Sequence, residues 1–95
     1  MVLSLQMSLP WSTLLGVDRA KFVELTTMVQ LLNAVGVPDA VSVAAQLSPP
    51  ETKKFGACCE YLNFKSTGLS LCFNSGKLDS IFFYNDGDLF FSTSI

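Results

Sequence analysis

The chain has 95 residues, 49% of them hydrophobic and only 15% charged, with a net charge of −2 and no histidine. This balance excludes intrinsic disorder, which needs low hydrophobicity and high net charge. It also argues against nucleic-acid binding, which needs a basic stripe, because no cations cluster beyond Lys53 and Lys54.

The length suits a single domain over residues 1–95. Residues 1–16 carry no charge. They lack a basic leader, and Gln6, Ser8, Pro10 and Ser12 interrupt them, which argues against a targeting segment. No run reaches the roughly 18 uninterrupted apolar residues of a membrane helix, so no membrane insertion is expected. Within residues 2–9, Leu3, Leu5, Met7 and Leu9 alternate with Val2, Ser4, Gln6 and Ser8. That period of two predicts a half-buried strand ended by Pro10. Asp18 reads as the N-cap of one main helix over residues 18–35. Phe22, Leu25, Val29, Leu32 and Val35 recur every three or four residues along it, widened by Val23, Met28 and Leu31. Gly36 and Pro38 stop the helix. Residues 40–50 fit either a short strand or a second helix, with Ser48-Pro49-Pro50-Glu51 able to open a helical turn. A loop-rich crossover is expected there.

Four strands follow, at residues 58–64, 68–73, 78–85 and 88–92. They are separated by Lys65-Ser66-Thr67-Gly68, Asn74-Ser75-Gly76-Lys77 and Asn85-Asp86-Gly87-Asp88. Ser-Gly and Asp-Gly at this spacing are hairpin signals, so the fold class is α+β, with the helix packed on an antiparallel β-meander. Directly opposed residues share a face. With two-residue turns at Ser75-Gly76 and Asp86-Gly87, one face would carry Leu62, Phe64, Leu69, Leu71, Phe73, Leu78, Phe82, Tyr84, Leu89 and Phe91, and would be the core. The other would carry Tyr61, Asn63, Ser70, Cys72, Asp79, Ile81, Phe83, Phe90 and Ser92. A one-residue bulge would exchange the faces beyond it.

Chemistry is sparse. Without histidine there is no common general base and no usual partner for a serine or cysteine nucleophile, and no phosphate-binding glycine loop appears. Asp79, Asp86 and Asp88 read as turn residues rather than calcium ligands. Glu60 falls on the apolar face without a second polar group to work with. Cys58, Cys59 and Cys72 read as free thiols in a reducing compartment, the cytoplasm. With only three thiols, no metal or other cofactor is expected.

The segment LPWSTLLGVDRAKFVELTTMVQLLNAVGVPD and the following EYLNFKSTGLSLCFNSGKLDSIFFYN resemble the SmpA/OmlA (BamE-like) α+β modules. They are also similar to the helix-plus-meander domains of bacterial immunity-type proteins and the phagosome-assembly-factor family. Leu9-Pro10-Trp11, Val35-Gly36-Val37-Pro38-Asp39, Gly68-Leu69 with Phe73, and Leu78 with Ile81 carry the match. The resemblance implies a non-catalytic module that presents a sheet or loop to another protein. The lipoprotein signal and lipid-bearing cysteine of SmpA/OmlA proteins are missing, so an outer-membrane role is not implied.

The expected function is therefore a non-enzymatic protein-interaction or scaffold domain. It would bind a protein partner or self-associate through Tyr61, Ile81, Phe83 and Phe90. The alternative is a small-molecule or lipid carrier with a pocket between helix and sheet, lined by Trp11, Phe64 and Phe82. An enzyme using Cys58 or Cys59 would require a fast-reacting thiol.

Overall fold

A computed structural model describes residues 11–47, 50–65 and 67–95. The strand expected over residues 2–9 lies outside the described residues, as do Ser48 and Pro49 of the helical turn expected at Ser48-Pro49-Pro50-Glu51, whose last residue, Glu51, opens a strand instead. The fold is α+β: 3-10 turns at Trp11–Leu14 and Arg19–Phe22, helices α1 (Leu25–Ala34) and α2 (Ala40–Leu47), and then strands β1 (Glu51–Phe55), β2 (Cys59–Phe64), β3 (Leu69–Asn74), β4 (Lys77–Asn85) and β5 (Asp88–Ser94). The strands form one antiparallel sheet in the order β1-β2-β3-β4-β5, a meander with no crossover.

The single helix expected over residues 18–35 is divided. Asp18 does not cap it. Its carboxylate accepts a hydrogen bond from the Lys77 ammonium at 2.6 Å, and its backbone bridges Lys77. Around it, Gly16 and Arg19 donate backbone hydrogen bonds to Leu78 and Gly76, and Leu78 donates to Val17. Pairing with the start of β4 thus holds residues 16–19 against the sheet. The chain makes one 3-10 turn, and Glu24 is extended (φ −119°, ψ 135°) before α1 begins. Phe22 reaches the core from the 3-10 turn, while Val23 and Leu25, counted in the helical stripe, are exposed. Met28 and Leu32 form the buried stripe of α1. The helix ends as expected at Gly36, where Val37 N–H bonds Leu32 C=O and Gly36 N–H bonds Asn33 C=O.

Residues 40–47 are helical because Ala40, Val43, Ala44 and Leu47 fall at i, i+3, i+4 and i+7, and all four are buried. The five residues 51–55, outside the four strands expected from the sequence, form the first strand. Each pairs with β2, from Glu51 opposite Asn63 to Phe55 opposite Cys59.

All described helical and 3-10 elements contribute to one core on a single face of the sheet, with Leu62, Phe64, Leu69, Leu71, Phe73, Leu78, Ile81 and Phe83 supplied by the strands. Aromatic contacts lock the layers together. Trp11 meets Phe83 edge-on at 5.3 Å between ring centroids, and Phe22 packs on Phe73 at 5.5 Å. Such pairs contribute roughly 0.5–1.5 kcal/mol beyond the area they bury. Glu60 lies at the margin of this face, opposite Phe73, where the Arg19 guanidinium meets it at 2.8 Å.

The hairpin tips follow the expected chemistry. Ser75-Gly76 and Asp86-Gly87 all have positive φ, between 52° and 86°, and close Asn74 onto Lys77 and Asn85 onto Asp88. Gly68 is required for a second reason besides its φ of +73°. A Cβ built on it would lie 2.2 Å from the Tyr84 carbonyl oxygen, because Gly68 C=O accepts the Tyr84 N–H at 2.8 Å and draws the two backbones together.

Candidate functional site: the open face of the sheet

Two bulges decide which residues look outward. Phe64 pairs with Leu69, Leu62 with Leu71 and Phe73 with Leu78, as the turns dictate. The β3–β4 register then shifts between Cys72 and Phe73, so Cys72 opposes Ser80, Leu71 opposes Ile81 and Leu69 opposes Phe83. A second shift between Phe83 and Tyr84 leaves Tyr84 opposite Leu89 but moves Phe83 onto Phe91, making Phe90 the extra residue. Most of β4 is therefore reversed relative to the unbulged register. Ile81 and Phe83, expected on the second face, are 0% exposed in the core. Phe82 and Tyr84, expected in the core, are on the second face. Of the four residues expected to form an interaction surface, Tyr61 stays on that face, Phe90 is exposed on edge strand β5, and Ile81 and Phe83 leave it. Nor do Trp11, Phe64 and Phe82 line one pocket. Trp11 and Phe64 are buried in the core, and Phe82 lies on the opposite side of the sheet. One cleft between helix and sheet, lined by Phe22, Met28 and Phe64 among others, has a volume of about 10 Å³.

The bulges assemble an aromatic row across the face opposite the helices. Phe55 on β1 meets Tyr61 on β2 edge-on at 5.3 Å. Tyr61 reaches over β3 to stack on Phe82 of β4 at 6.5 Å, with 26° between the rings. Phe82 continues to Tyr84 at 6.4 Å. Cys72 and Ser70, small residues on the intervening strand, leave room for Tyr61 to cross it. Both ends of the row are open, with Phe55 56% and Tyr84 38% exposed. Polar side chains border it, and the Ser70 hydroxyl donates to the Asn63 amide oxygen at 2.7 Å. Two concavities follow the row. One of about 450 Å³ is lined by Phe55, Cys59, Tyr61 and Tyr84, and one of about 560 Å³ lies toward Lys65 and the Asp86-Gly87 tip. Lys53, Asn63, Ser70 and Tyr84 belong to both.

The thiols are free: Cys58 is exposed, Cys59 half-buried and Cys72 buried. Burial pushes the Cys72 thiol above its usual range, outweighing the Tyr61 hydroxyl that would stabilise its thiolate. Hydrogen bonding to the Cys72 sulfur, followed by partial burial, holds the Tyr61 phenol protonated above its ordinary value. Tyr61 thus presents a neutral ring and hydroxyl across the physiological range. Among the described residues no group of three or more histidine, cysteine, aspartate or glutamate side chains is arranged to hold a metal ion. No described helix is long and apolar enough to cross a membrane. The face can stack on planar groups, cover apolar ones and exchange hydrogen bonds.

Sequence reasoning missed Phe55, Lys53, Phe82 and Tyr84. For the last two a signal was present. Leu78 and Ile81 are separated by two polar residues, Asp79 and Ser80, and a spacing of three between inward residues cannot be met by an unbroken period of two. Comparison with known protein families, with curated proteins and with solved structures finds no match in any of the three.

Proposed function

We propose that the protein is a non-catalytic interaction domain that binds a protein partner through the open face of its sheet. The observation that carries this reading is the row Phe55–Tyr61–Phe82–Tyr84 on the face opposite the described helices. Aromatic residues of this kind supply large, stiff contact area at little entropic cost and are enriched in interface cores. Contiguous apolar surface on a small domain marks such sites. The polar residues Asn63, Ser80 and Ser92 beside the row resemble an interface rim next to an apolar centre. The three free thiols fit a reducing compartment, and we place the protein in the cytoplasm.

The test compares partners captured by the wild type with those captured by a Phe55→Asp/Phe82→Asp variant. Val41→Asp, on the exposed side of α2, serves as control. All three should fold, by circular dichroism and urea unfolding. The double variant should lose the bound protein and the control should keep it. Retention by a folded double variant would refute the reading.

A further inference from the structure

The same face reaches one of the two edges of the described sheet at β1, and that edge carries a pattern of its own. Among the described residues β1 pairs only with β2, so alternate backbone N–H and C=O groups point away from β2, and all five of its residues are exposed. Among the described residues Lys53 and Lys54 make no ion pair, whereas Glu51 is held by Lys65 at 3.2 Å and Glu60 by Arg19. The two lysines project to opposite sides: Lys53 lies opposite Tyr61 on the open face, and Lys54 opposite Glu60 on the helix side. Phe55, next along the strand, starts the aromatic row.

We propose that the β1 edge receives an extended acidic segment of a protein partner as a sixth, antiparallel strand. The recognised order is an aromatic or large apolar residue followed by two acids, opposite Phe55, Lys54 and Lys53 in turn. This rests on the open-face reading and names the chemistry of its partner. Backbone pairing supplies the affinity of strand addition, and side chains at alternate positions supply the choice of strand. Edge lysines usually deter pairing. Here they deter selectively. A second β1 strand paired antiparallel about Lys53 would set Lys53 against its own copy, and like charges directly opposed are destabilising. An acidic strand meets a favourable partner at both positions. Its residue opposite Phe55 faces the open side and extends the row by one ring. Its acid opposite Lys53 lies where the two concavities meet.

The probe is a fluorescein-labelled nine-residue peptide with a central phenylalanine-glutamate-glutamate flanked by threonine and valine, followed by fluorescence anisotropy up to about 1 mM. It should bind, weaken with added salt, and weaken by about two- to fivefold for each of Lys53→Ala and Lys54→Ala. A version with lysines replacing the glutamates, and one N-methylated at alternate backbone amides, should not bind. Equal binding of the lysine peptide, no binding of the acidic one, or a dimer in sedimentation that excludes the peptide would each overturn the proposal. If the acidic peptide fails while Phe55→Asp/Phe82→Asp still abolishes partner capture, the edge assignment falls and the open-face reading stands. If the double variant also retains its partner, both fall.

Discussion

Phe82 and Phe83 are neighbours in sequence with opposite environments, and truncating each in turn tests the bulge that separates them. Phe83 is fully buried between Trp11, edge-on at 5.3 Å, and Phe91 at 6.0 Å. Replacing such a residue by alanine removes its transfer free energy and leaves a cavity, together about 3–5 kcal/mol. Phe82 is half-buried, and its ring stacks on Tyr61 and lies beside Tyr84 on a face open to water. Removing it leaves no enclosed cavity and forfeits part of its burial and one stacked pair, about 1–1.5 kcal/mol. A domain of this size holds only about 5–15 kcal/mol in total. With a urea dependence of about 1 kcal/mol per molar, Phe83→Ala should lower the unfolding midpoint by some 3 M or leave the chain unfolded, while Phe82→Ala should lower it by about 1 M. Equal losses, or a larger loss for Phe82→Ala, would refute the bulged register and return Ile81 and Phe83 to the open face.

Three further outcomes follow from the geometry. Gly68→Ala should cost about 3 kcal/mol or more in urea unfolding, through positive φ, collision with the Tyr84 carbonyl and strain on the hydrogen bond beside it. Gly56→Ala, at a nearly equal φ of +72° but with nothing within 4 Å, should cost only about 1–2 kcal/mol. The hydrogen bond from Lys77 holds the Asp18 carboxyl below its usual value of 3.8, helped by the ammonium charge. A lowered folded-state pKa stabilises above the unfolded value, and that contribution is lost as pH falls through the folded one. NMR titration should therefore show Asp18 protonating below the ordinary aspartate range, and returning toward it in Lys77→Met. Alkylation of the folded protein followed by mass spectrometry should modify exposed Cys58 first and Cys72 last, because Cys72 is buried and its thiolate disfavoured.

Local chemistry made much of the fold readable. Ser75-Gly76 and Asp86-Gly87 identify their turns because few other residue pairs tolerate positive φ twice in succession. Gly36 and Pro38 identify a helix end by the same kind of rule. What escaped depends on contacts distant in sequence. Asp18 has the side chain of a cap, but residues 16–19 find better partners on β4, some sixty residues away. The strand Glu51–Phe55 has no apolar alternation because neither side of an exposed edge needs one. On the open face, a single extra residue near Cys72 exchanged Phe83 for Phe82, and the expectation of an apolar patch survived with different members. Tyr61 lies on the face that the turn registers give it because β2 and β3 pair without a bulge. Phe55 could not have been placed beside it without first placing β1.

The claim that a partner sits on the aromatic row is tested most directly by photo-crosslinking from within it. A benzophenone side chain at position 82 lies mid-row, and one at position 41 projects from the exposed side of α2, where Val41 is 64% exposed. Irradiation in cells should give a defined adduct of the same partner from position 82 and none from position 41. Adducts from position 41 alone, or no adduct from position 82 under conditions where the partner co-purifies, would contradict the account.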